Sequence, residues 1–385
     1  MVRHIILPIS LMTGAIIGAG MFALPYIFHQ TGLILGLIVL AVLTIVVTVI
    51  HLLYADIVVQ TEGDHNFISY TKKYLGSSAS RVAFFMSIVE MSIVLVIYLT
   101  LSGKFINTLI QSYGSLYPSS SLISIAVLIF WLAASIAIFW DLKEMSLIQF
   151  LITASMVIIV SFVLGFGIFN GGSEKLISEF YPLAGGLNFN NLFILLGPIL
   201  FSLSGRVVIV EVVRYFSPKR PLLEIRQAII WGTVIPAIVY GFFVLSVLTL
   251  SDSVSLDAIS GLIGALPPLL VVAFSALGLL AIWTSYIAVG FDVNNILKVD
   301  LKLSNFKAGL LVVVLPAFLY FSGLNNFIFL ISLVGGLFLT LESIFIIKMW
   351  KVLNKKNWHP ILYIVVFILC ITLIYEVWKL LTGFY

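Results

Sequence analysis

The chain reads as an all-α polytopic membrane protein of about 11 transmembrane helices, arranged as two inverted blocks of five plus one extra C-terminal helix. Three observations predict this. Of the 385 residues, 62% are hydrophobic and only 9% charged, against roughly 25% charged in a soluble domain. Apolar runs of about 20 residues, enough to cross a bilayer as a helix, recur along the chain. Glycines and prolines interrupt two of those runs, the first and the sixth.

The runs fall at 5–28, 32–56, 81–110, 121–140, 146–169, 190–215, 226–250, 263–290, 307–322, 325–348 and 360–381. Helix one carries TGAIIGAGMFALPYIF, with Gly14, Gly18, Gly20 and Pro25 at membrane depth. Between helices two and three, residues 66–76 (NFISYTKKYLG) alternate apolar and basic residues, as an amphipathic connector on the membrane surface does. Helix six carries LLGPILFSLSGRVVIVEVV, which puts Gly197, Pro198 and the stretch Ser202 to Gly205 in mid-span. The longest polar connections, at 57–80, 170–190, 215–225 and 291–306, are too short for a soluble domain. Residues 1–385 therefore form a single transmembrane domain, and any chemistry lies among the helices or at their ends. The first span lacks an Ala-x-Ala cleavage site and is expected to stay in the mature protein. One cysteine, Cys370, leaves no disulfide and no cysteine metal cluster.

The net charge of +4 and pI near 9.0 do not point to nucleic acid, because the basic residues sort by side of the membrane. With the N-terminus cytoplasmic, 16 of the 20 lysines and arginines fall on the cytoplasmic side. Only Lys104, Lys175 and Lys379 fall on the other, and Arg206 lies inside helix six. This positive-inside bias puts the N-terminus inside and, after an odd number of spans, the C-terminus outside. The expected location is a prokaryotic plasma (inner) membrane, with the lipid bilayer as a partner.

Helices one to five occupy 5–169 and helices six to ten 190–348, with 360–381 as the extra helix. Five is odd, so the second block enters the membrane from the side opposite to the first. Interrupted helices at corresponding positions of two such halves point to a midplane transporter site. Gly14 and Gly18 also fit small-xxx-small packing between helices, but packing alone does not call for the matching break in helix six. Each unpaired backbone group in hydrocarbon costs several kcal/mol unless protein, water or ligand satisfies it. A zwitterion supplies both complements. Its carboxylate fits the N–H groups of Gly18, Ala19 and Gly20, where the half-helix dipole favours an anion. Its ammonium fits carbonyls of Phe201, Ser202, Leu203 and Ser204. The pattern asks for an α-amino acid.

GAIIGAGMFALP resembles the first helix of the amino acid/auxin and hydroxy/aromatic amino acid permease families of the amino acid-polyamine-organocation superfamily. FSLSGRVVIVEVVRYF resembles their sixth helix, and LLAIWTSYIAVGFDVNNIL the eighth helix of the bacterial aromatic permeases. Arg206 stands where a His is common, and Val210 replaces the Pro before Glu211; both departures bear on substrate more than on fold. The resemblance implies the LeuT-type five-plus-five fold. It also implies a cation site, because Ala281, Thr284 and Ser285 have the A-x-x-T-S spacing of the second sodium site in LeuT-like transporters. Gly14 and Ile17 stand where backbone carbonyls complete it. Two hydroxyls and three carbonyls suit the hard Na⁺ ion, although Thr and Ser in helices also back-bond to their own carbonyls. Proton-coupled relatives often place a Lys from helix five here, and helix five of this chain has none. No other cofactor is expected.

Ionisable residues inside a span are functional by default, since one at mid-bilayer costs at least about 2.5 to 3.5 kcal/mol. Glu90 lies nine residues after Arg81, roughly 13 Å along helix three. A Glu90 to Arg206 pair is geometrically conceivable, and Glu211 has Arg214 one turn away. Glu90, Arg206 and Glu211 are therefore the gating or proton-coupling candidates. Asp56, Glu342 and Glu376 lie near span ends and are expected to reach the interface, and His51 is expected to be a satisfied packing residue. Tyr98, Phe201 and Tyr286 are the aromatic pocket candidates.

The sequence thus predicts a secondary active transporter that imports amino acids, aromatic or large neutral ones, coupled to Na⁺ or H⁺ by alternating access. A transporter-like amino-acid sensor is the alternative, although few residues precede helix one to carry a signal. With no HExxH, no GxSxG and no close acid pair in the sequence, an enzyme is not expected.

Overall fold

The computed structural model describes residues 2–63, 66–113, 118–139, 142–180, 189–216, 221–251, 253–300, 302–355 and 359–383. Lys219, Arg220 and Lys356, counted above on the basic side, lie outside the described residues. The elements are helical throughout, in the order α1 Val2–Ile16, a 3-10 turn Ala19–Ala23, α2 Leu24–Thr31, α3 Leu33–Gln60, α4 Phe67–Tyr113 and α5 Ser120–Ala137. Then come α6 Leu142–Gly167, a π turn Ile168–Gly172, α7 Ser173–Phe180, α8 Phe189–Ser202, α9 Arg206–Tyr215, α10 Leu222–Leu250 and α11 Pro268–Asp300. The chain ends with α12 Asn305–Phe321, α13 Phe327–Leu333, a π segment Val334–Leu339, α14 Thr340–Asn354 and α15 Pro360–Thr382.

Among the described residues, 9 helices are long and apolar enough to cross a membrane, and the bent pair Ile5–Ile16 and Ala19–Thr31 makes 10. The 17-residue α12 is a shorter apolar helix at the position expected for span nine. Outward faces are apolar at helical spacing: Ile38, Val42 and Ile45 on α3 are exposed, as are Ile125, Ile129, Leu132 and Ile136 on α5. Faces of that kind need hydrocarbon rather than water.

Both expected breaks are present. Ile17 N–H still reaches Thr13 O at 2.9 Å, and then Gly18 turns to φ −142°, ψ −147°, which no helix tolerates. The two halves of helix one meet at 47°. Pro25 falls in the first turn of α2, where its missing N–H costs nothing. In helix six, α8 ends at Ser202, Gly205 caps the start of α9 with φ −141°, ψ 12°, and α9 runs on from Arg206. Helix ten is also irregular. Its π segment lies against helix six, where Gly335 abuts the Gly197 carbonyl so closely that a side chain would overlap it.

Several boundaries differ from the expectation. Helix eight starts at Pro268 rather than 263 and runs to Asp300, because a proline initiates a helix readily and the polar stretch 292–295 (DVNN) stays helical. The amphipathic connector joins helix three as one element, turned at Gly76, whose φ of 87° only glycine adopts cheaply. The loop after helix five contains α7, an element that apolar-run scanning does not detect.

Candidate functional site

The two breaks lie side by side at the centre of the bundle. A Cβ on Gly20 would stand 2.5 Å from Ser202 Cα and 2.6 Å from Ser202 Oγ, so the 3-10 turn of helix one touches the end of α8 backbone to backbone. A Cβ on Gly205 would stand 2.7 Å from Ile16 Cγ1 and 2.8 Å from Met12 Cε. One on Gly18 would stand 3.1 Å from Ser285 Oγ of helix eight. These three glycines let three helices approach closer than side chains permit.

A cavity of about 70 Å³ opens between them. Its polar wall is Gly18, Ala19, Gly20, Ser204, Gly205 and Ser285. Its apolar wall includes Val94, Tyr98, Phe201 and, from the π segment, Val334. π-helical turns inside α-helices recur at functional sites because they release backbone groups from the regular ladder. The arrangement suits a ligand with a charged, backbone-like head and an apolar side chain.

Glu90 also lines this cavity, 4% exposed, and its Oε2 has no hydrogen-bond partner. Its electrostatic neighbours are Glu342, Arg206 and Asp292. Arg206 makes a close ion pair from Nε to Glu342 Oε1, faces Asp292 Oδ2 at 3.7 Å and stacks 5.0 Å from the Phe67 ring. A second cavity of about 180 Å³ is lined by Arg206, Asp292, Phe67, Glu211 and Arg214. It shares Val207, Val208 and Ala288 with the first. The exposed Glu211 and Arg214, 2.5 Å apart, sit at its outer end. Val207, Val208 and Ala288 are therefore the wall between the central cavity and the one that holds Arg206.

The sequence profile of the tryptophan/tyrosine permease family matches residues 1–374. The chain belongs to this family. No curated protein matches it in sequence at a significant level. Among solved structures, the permease is similar to MhsT in complex with L-phenylalanine, at 14% identity and TM-score 0.73, covering 98% of each chain. It is also similar to Mhp1, a nucleobase-cation-symport-1 family transporter with bromovinylhydantoin bound, at 13% identity and TM-score 0.65, over 88% of this chain and 76% of that one. A manganese transporter of Eremococcus coleocola aligns at 12% identity and TM-score 0.64, over 97% of this chain and 85% of that one. The permease is thus a LeuT-type secondary transporter of amino acids.

Of the residues picked from sequence for substrate, Gly18, Ala19, Gly20, Tyr98, Phe201 and Ser204 line the central cavity of the permease. Ser202, Leu203 and Tyr286 do not. The Ser202 carbonyl, expected to face the ammonium, accepts from the Tyr240 hydroxyl at 2.8 Å, and Leu203 is fully buried. Tyr286 turns towards Phe130, with ring centroids 6.3 Å apart. A break tells which backbone is free, but not which way each neighbouring side chain points. Of the cation candidates, Ser285 reaches Gly18, while Thr284 Oγ1 donates to Ala281 O at 2.9 Å, the back-bond open to any helical Thr. Gly14 faces Gln149 and Thr153 of helix five, and Ile17 is buried.

Two acids depart from the expectation, while Asp56 lies half-buried near its span end. Glu342 and Glu376, expected at the interface, are each 2% exposed. Glu342 takes Arg206, in place of the conceived Glu90 pair. Glu376 takes Lys379 at 3.5 Å, and that lysine donates to Ser332 Oγ at 3.0 Å. Asp56 accepts from Arg226 at 3.0 Å and from Trp350 Nε1 at 3.3 Å. Hydropathy reports depth along a span and is silent about the face, and these acids sit on inward faces where partners await. Asp292 lies within the helix-eight motif, and Tyr240 of helix seven carries no local signal.

His51 has two partners, and its tautomer follows from theirs. Thr233 Oγ1 gives its single proton to Ile229 O at 2.9 Å, so His51 Nδ1–H must donate to Thr233 at 3.0 Å. The bare Nε2 then accepts the Gly205 N–H at 3.3 Å, one of the orphan donors at the start of α9. A neutral imidazole thus caps α9, the second half of helix six. His51→Ala leaves that buried N–H unmet, and a loss of about 1 to 3 kcal/mol is expected, read as a lower melting temperature of the purified permease.

Proposed function

We propose that the permease imports aromatic or large neutral amino acids, with the substrate seated between the two breaks. The observation that carries this reading is the central cavity, with backbone of Gly18 to Gly20 on one wall and Tyr98 and Phe201 on the other. The carboxylate meets the N–H groups at the start of the 3-10 turn, and the aromatic wall takes the side chain. Phenylalanine in the MhsT structure supports the same class of ligand. At about 70 Å³ the cavity is tight for such a molecule, so binding parts helices one and six from the rest, as alternating access requires. The Arg206 cluster is the inner gate, and Glu211 with Arg214 flanks its cytoplasmic mouth. The excess of basic residues on that side supports a cytoplasmic N-terminus.

The coupling ion is the proton in the reading favoured by charge. One arginine among Glu90, Glu342 and Asp292 leaves a surplus of two negative charges (1 against 3) in the membrane interior unless protons are held there. Sodium at Gly14, Ile17, Ala281, Thr284 and Ser285 is the second reading, favoured by the approach of Gly18 to the Ser285 hydroxyl. Uptake of labelled Trp, Tyr, Phe and Leu into proteoliposomes, under separate pH and sodium gradients, tests both. Expected is concentrative uptake of the aromatic substrates under the pH gradient, lost in Glu90→Gln while counterflow persists. A wild-type response to sodium alone, flattened by Thr284→Ala with Ser285→Ala, would move the coupling to the second site. Binding without counterflow would make the protein a sensor.

A further inference from the structure

The hydroxyl of Tyr240 joins the two broken helices. Tyr240 lies on α10, is fully buried, and its Oη stands 2.6 Å from Ile16 O and 2.8 Å from Ser202 O. Those carbonyls belong to the last residue of α1 and the last residue of α8. Each closes a half-helix, so each lacks an intrahelical donor and sits at the negative end of a helix dipole. Two such ends converging on one point make a place for positive charge, and in interrupted-helix transporters carbonyls of this kind hold a coupling cation. Here a side chain reaches the point from helix seven. A phenol carries one proton and the two carbonyls offer two acceptors, so the proton is shared or passes between them.

We propose that Tyr240 is a positioning residue whose hydroxyl proton takes the place of a cation between the two breaks, latching the inner half of helix one to the outer half of helix six. The proposal rests on the alternating-access reading for its consequence in transport. In that cycle α1 swings away from α8, the Ile16 contact opens, and the hydroxyl keeps Ser202, so neither movement strands the proton. One turn along the same helix, Phe243 packs edge-on against Phe22 of the 3-10 turn at 5.7 Å, so α10 meets helix one at the break through a second residue. A cation-sized space appears at the point only when the side chain is shortened.

Two variants test this. Tyr240→Phe keeps the ring and removes the proton, leaving two buried carbonyls face to face. The maximal rate of labelled-tryptophan uptake is expected to fall about tenfold or more, with a smaller change in KM, because Tyr240 itself does not line the central cavity. Tyr240→Asn shortens the side chain and supplies a third oxygen. Its melting temperature is expected to rise with added sodium chloride relative to choline chloride, while that of the wild type does not. The melting measurement needs no substrate, so it stands even if the permease carries some other amino acid. Wild-type uptake rate in Tyr240→Phe would overturn the latch. If that variant does not fold, a Tyr240→Asn protein whose stability responds to sodium no more than the wild type would overturn the cation-substitute role.

Discussion

Arg206→Met is expected to abolish uptake and to sharply reduce the yield of folded permease. Among the described residues, Arg206 is the single cation of a buried cluster that contains Glu342, Asp292 and Glu90. Removing one partner of a buried pair costs about 3 to 5 kcal/mol, because the remaining charge loses its compensation without regaining water. Total stabilities of about 5 to 15 kcal/mol leave little room for such a loss. Arg206→Lys keeps the charge but not the planar group that stacks on Phe67 while serving two carboxylates, so partial recovery is expected. The double variant Arg206→Met with Glu342→Gln should melt closer to wild type than Arg206→Met alone, since the uncompensated charge is gone. Size-exclusion profiles and melting curves in detergent, beside uptake in proteoliposomes, read all three. Wild-type stability in Arg206→Met would mean that the cluster already holds enough protons to be indifferent to its arginine.

Gly20→Ala is expected to be nearly as damaging, by one methyl group. The new Cβ would meet Ser202 Cα at 2.5 Å, a backbone atom that cannot rotate aside. Forced overpacking of this kind costs about 1 to 3 kcal/mol. Here the strain is relieved by moving helix one off helix six, which is the proposed seat of the substrate. Uptake should fall about tenfold or more. Gly165→Ala is the control: its Cβ meets nothing within 4 Å, and α6 should gain from the better helix former. Equal uptake by both variants would refute the claim that the contact between the breaks is what the glycine protects.

The legible part of this site is the part written locally. GAIIGAG and FSLSG stop helices wherever they fold, because glycine and proline act on their own backbone and immediate neighbours. Hence the breaks, the free backbone around them and the flanking Tyr98, Phe201 and Ser285 are traceable to short stretches of sequence. Glu342, Asp292 and Tyr240 answer to a different rule. Each meets its partner across a long stretch of chain, and a hydropathy scan gives the depth of a residue in its span but not its azimuth. The buried face of helix ten, with its π segment against Gly197, is unreadable for the same reason.

By itself, then, the sequence determined that this chain is a bundle of membrane helices, broken by glycine and proline at two corresponding places. Those are properties of composition and of local backbone chemistry. Only the tertiary structure decided that Arg206 closes on Glu342 and Asp292, that His51 caps the second half of helix six, and that Tyr240 bridges both breaks. These depend on which faces of distant helices turn inward together, and that is settled by packing the whole bundle at once.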